Sequence, residues 1–201
     1  MMANYNKIYS TSDIIDDIKP SHTLSLIWKD FLPNSKILDL GCGQGIDSLF
    51  LSKNGFSVTA IDSSEVAISQ IKIKKDKFKL DNLELIGGDI NDFNIEKNKY
   101  QAIICRNVLN FIEKDKALKI ISGLQDNIQK GSYIIIEVFT KNDPSFLSDN
   151  KFACYFDEQE LLDIFSGYKI LCYLENTVLD SGHPGSPEPH KHGVARVIAR
   201  K

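Results

Sequence analysis

Short, near-continuous apolar runs alternate along the chain with stretches in which apolar residues recur every three or four positions. Ile37–Leu40, Ser57–Ile61, Leu83–Ile86, Ala102–Cys105 and Tyr133–Phe139 are runs of the first kind and read as strands buried on both faces. Helical stripes lie between them. One carries Ile46, Leu49 and Phe50, one covers 64–77, and a long helix expected from Val108 to Gln129 carries Ala117, Ile120, Ile121, Leu124 and Ile128. Upstream, Ser21 can cap a helix with Leu24, Ile27, Trp28 and Phe31 in register, and Pro20 separates it from a piece with Ile14, Ile15 and Ile18. Downstream, Asp157-Glu158-Gln159-Glu160 forms a capping box ahead of Leu161, Leu162 and Phe165. Two β-like runs follow, Lys169–Leu174 and Val194–Ala199. The stretch between them holds Pro184, Pro187, Pro189, Gly182 and Gly185, so no crossover helix fits there. Without one the two strands cannot be parallel neighbours. The pattern predicts an α/β fold: a seven-stranded, mostly parallel sheet with an antiparallel last strand and helices on both faces.

Composition narrows the picture without changing it. The chain has 201 residues, 42% hydrophobic and 25% charged. That is ordinary globular usage with enough apolar material for one core, which excludes disorder as the main description. A single domain over 1–201 is expected, with 1–35 as an N-terminal helical cap segment and 36–201 as the α/β core. A net charge of −3 supplies no basic field for a polyanion, so no nucleic-acid partner is expected. The cluster Lys72, Lys74, Lys75, Lys77 and Lys79 reads as a solvated helix face. No apolar run reaches the length of a membrane helix, and Met1–Lys19 lacks a signal peptide's apolar stretch, so a cytoplasmic protein with no membrane partner is expected. Cys42, Cys105, Cys154 and Cys172 form no C-x-x-C pair and read as free thiols.

The chemistry concentrates in Ile37–Ser64. A buried strand runs into Gly41-Cys42-Gly43-Gln44-Gly45, then a helix, then a second strand ending at Asp62. Glycines at a strand-to-helix turn let backbone approach a ligand where a Cβ would collide. An acid about 20 residues after the first glycine can accept from both hydroxyls of a ribose. A nucleoside-containing cofactor at the carboxyl edge of the sheet follows. Dinucleotide folds use G-x-G-x-x-G, whereas the spacing here is G-x-G-x-G with Asp39 two residues ahead.

The run D-L-G-C-G-Q-G resembles the first motif of class I S-adenosylmethionine-dependent methyltransferases, and the likeness continues along the chain. Asp62 with Ser63 resembles their ribose acid. Gly88-Asp89-Ile90 resembles the turn that meets adenine, and Cys105-Arg106-Asn107 the end of strand four beside the methionine moiety. The antiparallel last strand is the usual ending of that Rossmann-like fold. Within the superfamily the chain is similar to the tellurite-resistance and thiol methyltransferase group, through Ser21-His22-Thr23 and through His183 followed by Gly193–Lys201. The resemblance implies S-adenosylmethionine as cofactor. It implies His22, Gly41, Cys42, Gly43, Gln44, Gly45, Asp62, Ser63, Asp89, Ile90, Cys105, Arg106 and Asn107 as its contacts, and a histidine before the last strand on the acceptor side. Asp39 is expected to order loop amides rather than to touch the cofactor.

The loops Thr140–Tyr155 and Glu175–His192 leave the same edge of the sheet, so both are expected to cover the acceptor. His183 and His192 are the candidate bases for a thiol or hydroxyl. His183, His190 and His192 share one loop, and the His-x-His pair also admits a metal. No carboxylate or thiol other than Glu188 stands at a suitable spacing, so no metal is expected. The reading is methyl transfer from S-adenosylmethionine to a small acceptor, a thiol or chalcogen oxyanion, by a monomer or homodimer. A nicotinamide-dependent oxidoreductase and a non-catalytic cofactor-binding module are the alternatives.

Overall fold

A computed structural model describes residues 5–10, 18–148, 152–182, 186 and 188–201. In chain order it contains α1 (Tyr5–Ser10), α2 (His22–Ser25), β1 (Lys36–Leu40), α3 (Ile46–Lys53), β2 (Ser57–Asp62), α4 (Glu65–Phe78), β3 (Leu83–Gly87) and β4 (Ala102–Arg106). Then come α5 (Lys114–Asn127), β5 (Tyr133–Phe139), α6 (Pro144–Ser148), α7 (Glu160–Ile164), β6 (Lys169–Asp180) and β7 (His190–Arg200). The strands make one sheet in the order β3-β2-β1-β4-β5-β7-β6. β1 to β5 are parallel to one another, and β7 runs antiparallel between β5 and β6.

Alternation along the inner strands divides the core in two. Leu38, Leu40, Ile103, Cys105, Ile134 and Ile136 pack on Ala117, Ile121 and Leu124 of α5 and Leu161 of α7. Ile37, Val58, Ala60, Ala102, Ile104 and Ile135 face the other way, against Leu24, Leu49, Leu51 and Ile71. Helices therefore cover both faces. Among the described residues no helix is long and apolar enough to cross a membrane.

Several segments differ from expectation. The helix started by Ser21 is short: its hydroxyl accepts from the Leu24 amide, but the chain passes into a 3₁₀ turn at Trp28–Asp30. Ile14 and Ile15 lie outside the described residues. α5 starts at Lys114, not near Val108, because Asn107 is left-handed (φ 54°) and Asn110 is buried, its Oδ1 accepting from the Phe139 amide. That bond ties the segment to β5 and leaves only a 3₁₀ turn at Leu109–Phe111. Half of the capping box forms, with Glu160 Oε2 accepting from the Asp157 amide while Gln159 becomes the left-handed N-cap. Lys74 is buried, so the lysine cluster is not wholly a solvated face.

The largest correction concerns 175–192. Residues 175–180 and 190–192 are strand rather than loop, part of a hairpin paired from Lys169 opposite Arg200 to Asp180 opposite His190 with a register shift between Ile170 and Cys172. Pro184, Pro187 and Pro189 all fall between the strands. They cannot donate to a ladder, and neither strand contains one.

Candidate active site

The turn after β1 is built from glycines at positive φ: 68° at Gly41, 52° at Gly43 and 75° at Gly45. At Gly41 a Cβ would also stand 2.4 Å from Val108 Cγ2. The amides of Gly41 and Cys42 both donate to the Ile61 carbonyl, at 2.9 and 3.0 Å. Asp62 at the end of β2 accepts from the Gly43 amide through Oδ2 and from the Ser64 amide through Oδ1, both at 2.8 Å. It thus holds the turn and the start of α4 together. Each carboxylate oxygen keeps lone-pair capacity for another donor. Ser63 is exposed, and Gln44 donates to Gln70. α1 lies against this turn: Asn6 Oδ1 accepts from the Ser64 hydroxyl, and the Tyr9 hydroxyl stands 3.0 Å from where a Gly43 Cβ would be.

Asp39 lies beneath the turn, buried, accepting from the Ser48 hydroxyl rather than from a loop amide. Burial, with Asp47 nearby, pushes its carboxyl up to about 7. The Cys42 thiol is pushed well above its ordinary value by burial and by Asp39 and Asp62. Burial raises the Cys105 thiol too, and that side chain packs in the core. Ile90 is also a core residue. Asp89 is exposed and takes the backbone and side-chain amides of Asn91.

Beyond the end of β4 charged groups gather. Arg106 donates to Asp47 Oδ2 at 2.8 Å and lies 3.6 Å from Glu137 Oε1. Glu137, nearly wholly buried in β5, accepts from Arg196 Nε at 2.6 Å, Thr23 Oγ1 at 2.8 Å and Asn107 Nδ2 at 3.0 Å. Burial alone would raise the Glu137 carboxyl, but Arg106 and Arg196 outweigh it and hold it below the ordinary range. Ser21 donates to Asp47 through both its amide and its hydroxyl. His22, expected as a contact, is exposed on α2. Its neighbours Ser21 and Thr23 make the inward bonds, because successive helical residues point in different directions. Among the described residues, Arg106 Nε, Asn107 Oδ1, Asn110 Nδ2 and Thr140 Oγ1 are buried without a hydrogen-bond partner. All four stand at the carboxyl ends of β4 and β5 or just beyond.

Next to these ends lies a second group. His192 stacks on Phe139, ring centroids 4.4 Å apart and planes 9° from parallel. Its Nδ1 is 2.8 Å from Asp143 Oδ2, and its Nε2 is 2.9 Å from His190 Nε2. Asp143 also accepts from the Gly193 amide and from Ser145. Burial would raise its carboxyl, but the bonds from His192 and Ser145 bring it below the ordinary range. Phe146, Phe152 and Tyr155 pack around Phe139, whereas Phe156 joins the main core. His183 lies outside the described residues. Sequence reasoning missed Asp143, Asp47 and Glu137, and within Ser21-His22-Thr23 it took His22 rather than Thr23 as the contact. Only Glu137 left a signal, as a lone acid inside the most apolar strand.

The model of the family described as tellurite resistance protein TehB matches residues 4–181. A protein of Haemophilus influenzae (strain 10810), named a probable S-adenosyl-L-methionine-dependent methyltransferase TehB, is 32% identical over 174 residues. The match takes in 86% of this chain and 55% of that protein. The magnesium protoporphyrin IX methyltransferase of Arabidopsis thaliana is 28% identical over 137 residues, 63% of this chain and 44% of its own. The crystal structure of TehB from Haemophilus influenzae superposes with a TM-score of 0.77 at 30% identity, covering 98% of this chain and 65% of that one. A SAM-dependent methyltransferase from Aquifex aeolicus shares the fold, with a TM-score of 0.64 at 20% identity and 98% of both chains covered. The chain thus spans little more than half the length of the TehB protein it matches in sequence.

Proposed function

The chain belongs to the tellurite resistance protein TehB family, and from that premise we propose that it transfers the methyl group of S-adenosylmethionine to a small thiol or chalcogen oxyanion. One observation carries the reading. The carboxyl edge of the sheet carries a carboxylate, Asp62, at the end of β2 and four buried, unpartnered polar atoms at or just beyond the ends of β4 and β5. Buried polar groups without partners cost about 1–3 kcal/mol each, so a ligand that pairs them is favoured there. S-adenosylmethionine fits that pattern of donors and acceptors.

In this reading Asp62 and Ser63 hold the ribose, and Asp89 with Ile90 borders the adenine. The backbone of Gly41, Cys42, Gly43, Gln44, Gly45 and Cys105 forms the floor. Arg106 and Asn107 orient the methionine end, Arg106 as a cation for its carboxylate and Asn107 Oδ1 as an acceptor for its ammonium. Ser21 and Thr23 lock the N-terminal segment over the site and take the place first given to His22. When bound, the cofactor supplies an electrophilic sulfonium methyl, and the chain's contribution is alignment and exclusion of water. His192 is the electron-pair donor on the acceptor side, with Asp143 fixing its tautomer; His183 is the second candidate. The proposal includes one domain, 1–35 capping 36–201, acting in the cytoplasm as a monomer or homodimer.

Calorimetry tests the reading. S-adenosylhomocysteine should bind one per chain while NAD does not, and labelled methyl should pass to a member of a thiol and oxyanion panel. Tight NAD binding without a response to S-adenosylhomocysteine would overturn it.

A further inference from the structure

His190 and His192 stand two apart on β7 and so project from one face of the strand. Both Nδ1 atoms are committed as donors. That of His192 faces Asp143 Oδ2 at 2.8 Å and that of His190 faces the Glu188 carbonyl at 2.8 Å, and both oxygens can only accept in these roles. In the neutral rings, therefore, each Nε2 carries a lone pair rather than a proton. Yet these two nitrogens are 2.9 Å apart. A cation beside them would meet both lone pairs. Asp180, opposite His190 in the hairpin register, brings a carboxylate oxygen to the same place. One ligand atom from each of the three residues lies within 4.8 Å of the others. Sequence spacing offered only Glu188; the antiparallel register supplies Asp180 from ten positions upstream.

The surroundings are those of a ligand set held ready. Metal-bound histidines usually donate their other nitrogen to a carboxylate or carbonyl, which fixes the tautomer. Asp143 and Glu188 do this here. Phe139 fixes the plane of the His192 ring, and the Gly182 amide donates to Asp180 Oδ1. Two imidazoles and one carboxylate suit a borderline divalent transition ion, and three protein ligands leave a coordination position open.

We propose that Asp180, His190 and His192 bind a divalent transition-metal ion of the zinc class, whose open position takes the thiolate or oxyanion of the methyl acceptor. The place is apt because Glu137 pairs with Arg196, and Phe139, which His192 covers, lies two residues further along β5. The site thus lies just beyond the carboxyl end of β5, the strand that carries Glu137. A thiol reaching it exchanges its proton to solvent for a sulfur–metal bond. A sulfur lone pair then forms the bond to the methyl carbon, the carbon–sulfonium bond breaks, and its electron pair stays on S-adenosylhomocysteine. Metal binding stands independently of the methyl-transfer reading; the use of the open position rests on it.

The test uses the full chain, stripped with chelator, dialysed and titrated with Zn²⁺ and Co²⁺. One ion should bind per chain, cobalt should develop visible absorption of a low-coordinate nitrogen–oxygen site, and the melting temperature should rise. Asp180→Asn and His190→Gln should each weaken binding at least about tenfold, and Asp143→Asn about tenfold through the lost bond to Nδ1. Circular dichroism shows that the variants fold, and S-adenosylhomocysteine binding is measured on the same samples. No stoichiometric ion in a chain that still binds S-adenosylhomocysteine would overturn the metal site and leave a shared proton between the two rings. Stoichiometric ion, lost in the variants, with no response to S-adenosylhomocysteine would keep the site and remove its acceptor role.

Discussion

Thr23 Oγ1 donates to Glu137 Oε2 at 2.8 Å, a buried bond between residues 114 positions apart. It fastens the segment before β1 to the charged cluster at the end of β5, beside Arg106, Asn107 and Arg196. Since Glu137 is buried, each donor it keeps offsets part of the cost of taking its charge from water.

Thr23→Val keeps the shape and removes that donor. A hydrogen bond to a charged group contributes about 1.5–3 kcal/mol, so chemical denaturation should show a loss of about that size. A change within a few tenths of a kcal/mol would mean that Arg196, Arg106 and Asn107 satisfy Glu137 without it.

Asp62→Asn tests both duties of that residue. The charge presented to a ribose is lost, and one oxygen can no longer accept from its amide. S-adenosylhomocysteine should bind at least about tenfold more weakly by calorimetry, and the melting temperature should fall as the Gly43 turn loosens. Unchanged affinity with a lowered melting temperature would make Asp62 a loop anchor alone.

Asp39 predicts a pH dependence of stability. Its carboxyl is raised to about 7 by burial and Asp47, so the folded chain holds a proton that the unfolded chain releases near pH 4. The contribution is complete below that range and is lost as pH rises through about 7, on the order of a few kcal/mol in all. Glu137 and Asp143, whose carboxyls are lowered, act in the opposite sense and lose their contribution as pH falls through the acid range. Asp39→Asn should therefore gain stability relative to the wild type between pH 5 and 8 in thermal melts. A difference independent of pH would show that Asp39 ionises normally.

Gly193→Ala should strike the acceptor side alone. A Cβ there would lie 2.4 Å from the Asp143 amide nitrogen and 2.5 Å from the Asn142 carbonyl carbon. Backbone must move, and the Asp143–His192 bond moves with it. Methyl transfer should fall at least about tenfold with S-adenosylhomocysteine affinity retained, a small displacement at a reacting centre sufficing. Equal activity would remove the Asp143 segment from the acceptor pocket.

The parallel strands were legible because each is an apolar run that only a sheet covered on both faces would need. The glycine turn and Asp62 were legible because their spacing reflects a local strand–turn–helix unit. What sequence reading missed is non-local. Asp143 meets His192 through the turn after β5, and Asp180 meets His190 through a strand register that no spacing rule contains. Thr23 rather than His22 faces inward because of helix phase over a four-residue helix, too short for periodicity to define. The proline count made 175–192 look like one loop, although all three prolines fall in sequence between Asp180 and His190 and neither strand contains one.

The position of β7 between β5 and β6 has a consequence for synthesis. β6 has no other neighbour in the sheet, so when it leaves the ribosome its partner has not yet been made. A nascent chain paused at this stage exposes β6 and the open side of β5, two unpaired edges of the kind that recruit foreign strands. Codon speed and chaperone occupancy across the proline-bearing tip therefore bear on yield more than they would for a sheet that grows outward in chain order.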